Sequence, residues 1–324
     1  MTTRRQIVLA LGASVLAVPF AAPGQVIAPR VRLIGVLTPV DNPTFVAFVD
    51  ALRGLGYEDG RNARLLIRSA NSNYERLPAL ARELVDAKFE VIAAINTPGA
   101  RAAIDATKEI PIVITEVGDP VGSGFVPNLS RPGGNVTGTS NMAGELASKR
   151  LSILRELVPG ARRIAVLFNP VDPVNEPQIR DVRLAAPTLG VEVRFFPVES
   201  PAKLPETFKA ILAWRAKSAM WLLGQPLKFQ PGTIALAREH RLPVMVANSY
   251  DVEAGGLISY RPDSSEGFRR AATYVDKILK GAQPGQLPVE QPTKFDLGIN
   301  IRTAKALGLK IPPALLIRAD RVIE

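Results

Sequence analysis

The 324-residue chain contains no cysteine, which excludes a disulfide framework, a thiolate metal centre, a cysteine nucleophile and an acceptor for a lipid anchor. With 47% hydrophobic and 22% charged residues it has the make-up of a globular protein, long enough for two domains. The formal charge of +10 comes from scattered lysines and arginines with no basic cluster interleaved with aromatics, so it reads as solubility and surface field and excludes nucleic acid as an expected partner.

The chain opens on Thr3-Arg4-Arg5-Gln6-Ile7, runs almost unbroken apolar over 8–20 and turns small over 21–24. A basic start before an apolar run too short to span a bilayer predicts an export signal peptide at 1–24, of the twin-arginine or general secretory kind. The rest is expected in the periplasm, soluble, without a lipid anchor. From Val31 onward, short apolar runs fall at 31–37, 63–67, 91–95, 110–117, 164–168, 191–196, 219–223 and 243–247. Helical patterns lie between them at 44–55, 77–87, 98–108, 146–158, 178–189, 204–214 and 233–240. Strand-length buried runs alternating with helices predict an α/β fold with parallel sheets covered on both faces.

The series restarts halfway. Ile34-Gly35-Val36-Leu37-Thr38-Pro39-Val40-Asp41, with a helix stopping at Leu55-Gly56, is echoed by Ile164-Ala165-Val166-Leu167-Phe168-Asn169-Pro170-Val171-Asp172, with a helix stopping at Leu189-Gly190. Two similar open sheets explain this echo better than one long sheet. Breaks at 130–144, where Arg131-Pro132-Gly133-Gly134-Asn135 is a strong turn, at 255–263 and at 284–292 then imply three crossings. The helix over 265–280 returns to the first lobe, and 295–308 adds an edge strand and short helix to the second. The expected division is 30–139 plus 262–287 for lobe 1 and 140–261 plus 288–324 for lobe 2; the segment 314–323 has no predicted place.

Open α/β sheets bind ligands beyond the carboxyl ends of their strands. The residues there are Thr38, Asp41, Asn96-Thr97-Pro98-Gly99 and the stretch 116–120 with Asp119, then Asn169, Asp172, Asn175, Gly224-Gln225-Pro226 and Asn248-Ser249-Tyr250-Asp251. Each has a local role open to it as well: Thr97, Asp41 and Asp172 precede helices and suit caps, and Asp119 before Pro120 suits a turn. Together the polar set points to a cleft. Tyr250 could cover a ligand, whereas Trp221, inside an apolar run, reads as core.

Enzymatic signatures are missing, and neither a catalytic residue, a metal site nor a cofactor is expected. The single histidine, His240, ends a helix, and neither a Gly-x-Ser-x-Gly elbow nor a phosphate loop occurs. Gly54-Leu55-Gly56 follows a helix and is a helix stop, not a dinucleotide fingerprint. Asp251 with Glu253 reads as a solvated loop pair, and an acid/base pair of Asp119 with Asp251 has no particular support.

Several segments carry a wider resemblance: Tyr74-Glu75-Arg76-Leu77-Pro78-Ala79-Leu80-Ala81, Gly118-Asp119-Pro120-Val121, the run 129–138, Lys149-Arg150-Leu151, Ala254-Gly255-Gly256-Leu257-Ile258-Ser259-Tyr260, and Gln291-Pro292-Thr293-Lys294-Phe295 with 300–309. With the Arg-Arg leader, they resemble the ABC-transporter substrate-binding proteins of the tryptophan-binding-protein-like group. The resemblance implies a type 1 periplasmic-binding-protein fold: two Rossmann-like lobes joined by three hinge crossings, closing over a small organic solute, an amino acid or related aromatic or carboxylate compound. An inner-membrane ABC permease would be the partner of a monomer. The implied cleft takes Thr38, Asn96, Thr97 and Asp119 from one lobe, with Asn169, the loop to Asn175, and Asn248 to Tyr250 from the other. Where relatives often carry Gly-x-Asp-Pro, this chain has Gly224-Gln225-Pro226, an amide in place of a carboxylate, which argues against copying a relative's ligand. A sensor module for a membrane receptor would share the sequence pattern. An exported α/β enzyme, which Asp119→Asn would disable, is a further alternative, and a sugar-type repressor would need a helix-turn-helix where this chain has a leader.

Overall fold

The computed structural model describes residues 30–224 and 230–324; the expected signal peptide at 1–24 and Gln225 lie outside them. Val31–Glu324 forms one compact unit. It opens with β1 (Arg32–Thr38), α1 (Val46–Gly54), β2 (Ala63–Ser69), α2 (Leu77–Asp86), β3 (Val91–Ile95), α3 (Asn96–Ala106), β4 (Ile112–Val117) and β5 (Val136–Ser140). The second series is α4 (Ala143–Leu157), β6 (Arg163–Phe168), α5 (Asn175–Thr188), β7 (Glu192–Pro197), α6 (Leu204–Ala213), β8 (Ser218–Trp221), α7 (Gln230–Glu239), β9 (Val244–Met245), α8 (Ser249–Glu253) and β10 (Ile258–Pro262). α9 (Ser264–Leu279), β11 (Val289–Glu290), β12 (Phe295–Asn300), α10 (Ile301–Ala306), α11 (Pro313–Arg318) and β13 (Arg321–Ile323) complete it.

The strands form two sheets, ordered β11-β5-β4-β3-β1-β2 and β13-β12-β10-β9-β8-β6-β7. From β2 to β5 and from β7 to β10 the order is the same, so the repeat read around residues 34 and 164 is a repeat of topology. All pairings are parallel except β10 with β12. The chain passes between the sheets three times, after β5, after β10 and after β11. Because β11 pairs with β5 at Val289↔Gly138, Val289 and Glu290 extend the first sheet.

Alternation along the strands builds a core on each face of each sheet. Ile34 and Val36 of β1 pack beneath α1 and α9 with Phe48, Phe268 and Val275, while Leu37 joins Leu80 and Leu84 of α2 on the opposite face. Likewise Ile164 and Val166 of β6 meet α4 and α5, and Ala165 and Leu167 meet Phe208 and Ile211 of α6. Trp221 is buried in that last cluster, as its apolar run implied, and donates from Nε1 to Thr233 (2.9 Å).

Three local outcomes differ from the sequence reading. The segment around 314–323, left without a place, becomes α11 and β13, the latter pairing with β12. The run from Asn248 to Asp251, read as a loop, is a helix start, with Asn248 preceding α8. α3 begins at Asn96, two residues before the expected 98, with Asn96 at φ +60°. Among the described residues no helix is long and apolar enough to cross a membrane.

Candidate functional site

Strand order reverses direction of growth between β1 and β3 in the first sheet and between β6 and β8 in the second, the places where open sheets leave crevices at their carboxyl ends. A cleft lies there, lined from the first series by Asn42, Asn96, Thr97, Pro98, Glu116 and Asn141. Its second wall comprises Asp172, Val174, Leu223, Gly224, Asn248, Tyr250, Arg261 and Pro262.

The polar floor is organised around the end of β4. Glu116 has a left-handed backbone (φ +58°), a conformation that costs a non-glycine residue free energy and persists only when its surroundings hold it. Asn141 Nδ2 (3.2 Å) and Asn96 Nδ2 (3.5 Å) both donate to its carbonyl oxygen. With their amide nitrogens so used, Asn96 Oδ1 and Asn141 Oδ1 are buried without a hydrogen-bond partner. Two orphaned acceptors on cleft-lining side chains are an unmet demand for donors.

Across the sheets, Arg261 Nη2 donates to Glu116 Oε2 at 2.9 Å, an ion pair whose side chains are only 15% and 6% exposed. Arg261 also donates to Asn248 Oδ1 and Ser264 Oγ. Behind it, Arg150 of α4 is wholly buried and donates to the carbonyls of Trp221 (2.6 Å) and Val246 (2.9 Å), tying the ends of β8 and β9 together. Burial, with the nearby Arg261 charge second, pulls Arg150 down to about 9. Burial pushes Asp251 up to about 6, against the pull of Asn248 and Arg261. Tyr250 is raised by burial first and by Asp251 second, so its phenol stays neutral.

α3 points its first turn into the cleft. Ile95, the residue before it, offers no side-chain cap, and Asn96, Thr97, Pro98 and Gly99 are all buried, so the positive end of an 11-residue helix meets the cavity. The walls come close at Gly118 and Val174: a Cβ added to Gly118 would fall under 3.0 Å from Val174 Cγ2 and 3.1 Å from Ala143 Cβ.

Of the residues singled out from sequence, the cleft brings together Asn96, Thr97, Asp172, Asn248 and Tyr250. Others serve their own loops. Thr38 Oγ1 donates to Val40 O, and Asp119 Oδ1 accepts from Gly122 N (2.7 Å). Asn169 accepts from Val171 N (3.3 Å), and Asn175 Nδ2 donates to Asn169 O (2.7 Å). Asp251 lies behind Asn248, whose Nδ2 donates to its Oδ2 at 3.0 Å. Glu116, named only within its stretch, and Asn141, Val174 and Arg261 went unselected. A charged residue inside the apolar run Ile112-Val113-Ile114-Thr115-Glu116-Val117 was the available signal for the first. Among the described residues no group of three or more His, Cys, Asp or Glu side chains could hold a metal ion.

The chain matches the family described as ABC transporter substrate binding protein over residues 33–323. A tyrosine-binding protein of Clostridioides difficile is 28% identical over 281 residues, 86% of this chain and 81% of the relative. A conserved domain protein from Vibrio cholerae superposes with a TM-score of 0.84 at 31% identity, covering 90% of this chain and all of the other. An ABC domain from Streptococcus pneumoniae in complex with L-Trp gives 0.83 at 25% identity, with 90% and 100% coverage. A ligand-free, open substrate-binding protein from Clostridium difficile gives only 0.66 at 28% identity, with 90% and 99% coverage. These solved relatives share the α/β architecture of type 1 periplasmic binding proteins, and the chain belongs to the ABC transporter substrate-binding protein family.

Proposed function

We propose that this protein captures an α-amino acid with an apolar or aromatic side chain in the periplasm and delivers it, unchanged, to an inner-membrane ABC permease. The lobes are built on the two sheets, the first taking in α9 and β11, and they close over the solute. The carrying observation is the pair of unsatisfied oxygens, Asn96 Oδ1 and Asn141 Oδ1, on side chains whose amide nitrogens both donate to the Glu116 carbonyl, in a cleft that Glu116 also lines. The two amide acceptors and the Glu116 carboxylate of the same cleft suit an ammonium group, whose three donors would satisfy them. The positive end of α3 and the Arg261 guanidinium suit a carboxylate. Pro98, Val174, Leu223 and the Tyr250 ring supply the apolar surface for a side chain. The relatives described as tyrosine-binding and as an L-Trp complex support the same solute class.

In the described arrangement the Glu116–Arg261 pair keeps both charges compensated. A zwitterion brings one charge of each sign and can take over both partners without leaving a bare ion in a desolvated site. Calorimetric titration with L-tyrosine, L-tryptophan, their amides and their decarboxylated amines tests this. Binding of the intact amino acids, with at least tenfold loss for the amides and amines, is the expected result; equal binding of the amines would remove the carboxylate from the account.

A further inference from the structure

Asp251 is absent from the cleft wall, yet its side-chain contacts lead there. Its buried carboxylate accepts from Asn248 Nδ2 (3.0 Å). The amide has one donor edge and one acceptor edge, so this bond turns Asn248 Oδ1 the other way, where it accepts from Arg261. Arg261 in turn donates to Glu116 Oε2 (2.9 Å) and to Ser264 Oγ. One chain of hydrogen bonds thus runs from α8 through β10 to the end of β4 in the other sheet.

We infer that Asp251 is the positioning residue of this cleft: its carboxylate fixes the Asn248 amide with the oxygen toward Arg261 and so holds the guanidinium where the solute's acidic group is received. The inference rests on the solute reading above for its effect on affinity, though the relay itself does not. An ionised carboxylate can only accept, which forces the amide's orientation. A protonated one offers a hydroxyl as well and tolerates the reversed amide, whose NH₂ would then oppose the guanidinium donors.

The charges around Asp251 leave it free to play this part. Arg261 on β10 faces it, with Glu116 beyond, and Arg150 of α4 stands behind Arg261 as a second buried cation. On its own helix Tyr250 is neutral, and Glu253 is drawn outward by Arg321 of β13, which also reaches Asp296 of β12 (3.6 Å). With Asp251 ionised, the Glu116, Asp251, Arg150 and Arg261 charges balance; with Asp251 protonated they do not. Burial places that protonation near pH 6, so the relay is intact above this pH and loses its direction below it.

The test has two arms on the purified protein. Titration with L-tyrosine and L-tryptophan, both zwitterionic throughout, should give affinity about tenfold weaker at pH 5.0 than at pH 7.5, as one required ionisation near pH 6 dictates. Asp251→Asn should flatten that profile, holding pH 7.5 affinity near the wild-type value at pH 5.0. In the second arm, without solute, the Asn248 side-chain amide resonances should shift with a midpoint near pH 6 in the wild type and stay fixed in Asp251→Asn. Resonances that do not move between pH 4.5 and 7.5, or an Asp251→Asn variant that keeps the wild-type pH profile, overturn the inference. If neither amino acid binds at any pH, the solute reading fails while the amide resonances still decide the relay.

Discussion

Gly118→Ala is the sharpest test of closure. In the described arrangement a Cβ at this position would fall under 3.0 Å from Val174 Cγ2, a separation that real Cβ atoms essentially never show, and 3.1 Å from Ala143 Cβ. Gly118 follows β4 in the first sheet and Val174 precedes α5 in the second, so the contact exists only when the two sheets stand this close. Val174 is β-branched and buried, with few alternative rotamers to retreat into. Overpacking of this kind costs about 1–3 kcal/mol, and under the proposed closure that cost falls on the closed form alone. A penalty confined to the binding-competent state lowers apparent affinity by the same free energy, about 5- to 150-fold. Calorimetric affinity for L-tyrosine, read beside the melting temperature of the solute-free protein, separates this from general damage: affinity should fall while the solute-free melting temperature stays put. Gly54→Ala is the control, since nothing lies within 4 Å of its added Cβ in α1, and it should leave affinity unchanged. Wild-type affinity in Gly118→Ala would refute the reasoning that the Gly118–Val174 approach belongs to the bound state.

Other substitutions probe the scaffold. Gly138 has φ +132° and an added Cβ would lie 2.7 Å from Ile114 N and closer still to its carbonyl, so Gly138→Ala should cost at least about 3 kcal/mol in urea unfolding or prevent folding. Arg150→Met removes the charged donors to Trp221 O and Val246 O; losing these two buried hydrogen bonds should cost about 2–4 kcal/mol in the same assay, offset in part by removing a buried charge. For Asp251 the sign runs toward a destabilising charge: its pKa rises on folding from 3.8 to about 6, so the neutral form is favoured and the penalty grows as pH rises between those values. Asp251→Asn should therefore stabilise the fold at pH 7 by up to about 3 kcal/mol, and the gain should fade as pH drops toward 4 in melting experiments.

The sheets were legible because their strands are buried on both faces and announce themselves as apolar runs, and the repeat at 34–41 and 164–172 revealed a shared strand order. β13 was not legible, because three residues gain strand character only from pairing with β12. At the cleft, the strand-end rule led to Asn96, Thr97, Asp172, Asn248 and Tyr250. It could not separate them from Asp119, Asn169 and Asn175, where short polar side chains satisfy the backbone of their own loops. Asn248 to Asp251 read as a turn because those residue types favour one; tertiary packing of α8 against β10 and β12 overrode that preference. The Glu116–Arg261 pair joins residues 145 positions apart, and nothing local foretells it.

That pair also explains why strain gathers at this place. Asn96 and Glu116 both hold left-handed backbones, as does Met142 beside Asn141, and such conformations cost about 1–3 kcal/mol each. Their common consequence is that the Asn96 and Asn141 side chains converge on the Glu116 carbonyl and that the Glu116 carboxylate reaches the other sheet. A relaxed, extended residue 116 would send its side chain to the opposite face of the sheet or into solvent, because alternation along a strand allows only those directions. The irregular backbone therefore accompanies the placing of the Glu116 carboxylate and the Asn96 and Asn141 amides in one cleft. Unsatisfied acceptors buried at a cleft give the fold no stability of their own, which is why the proposed ammonium group, with three donors, suits them.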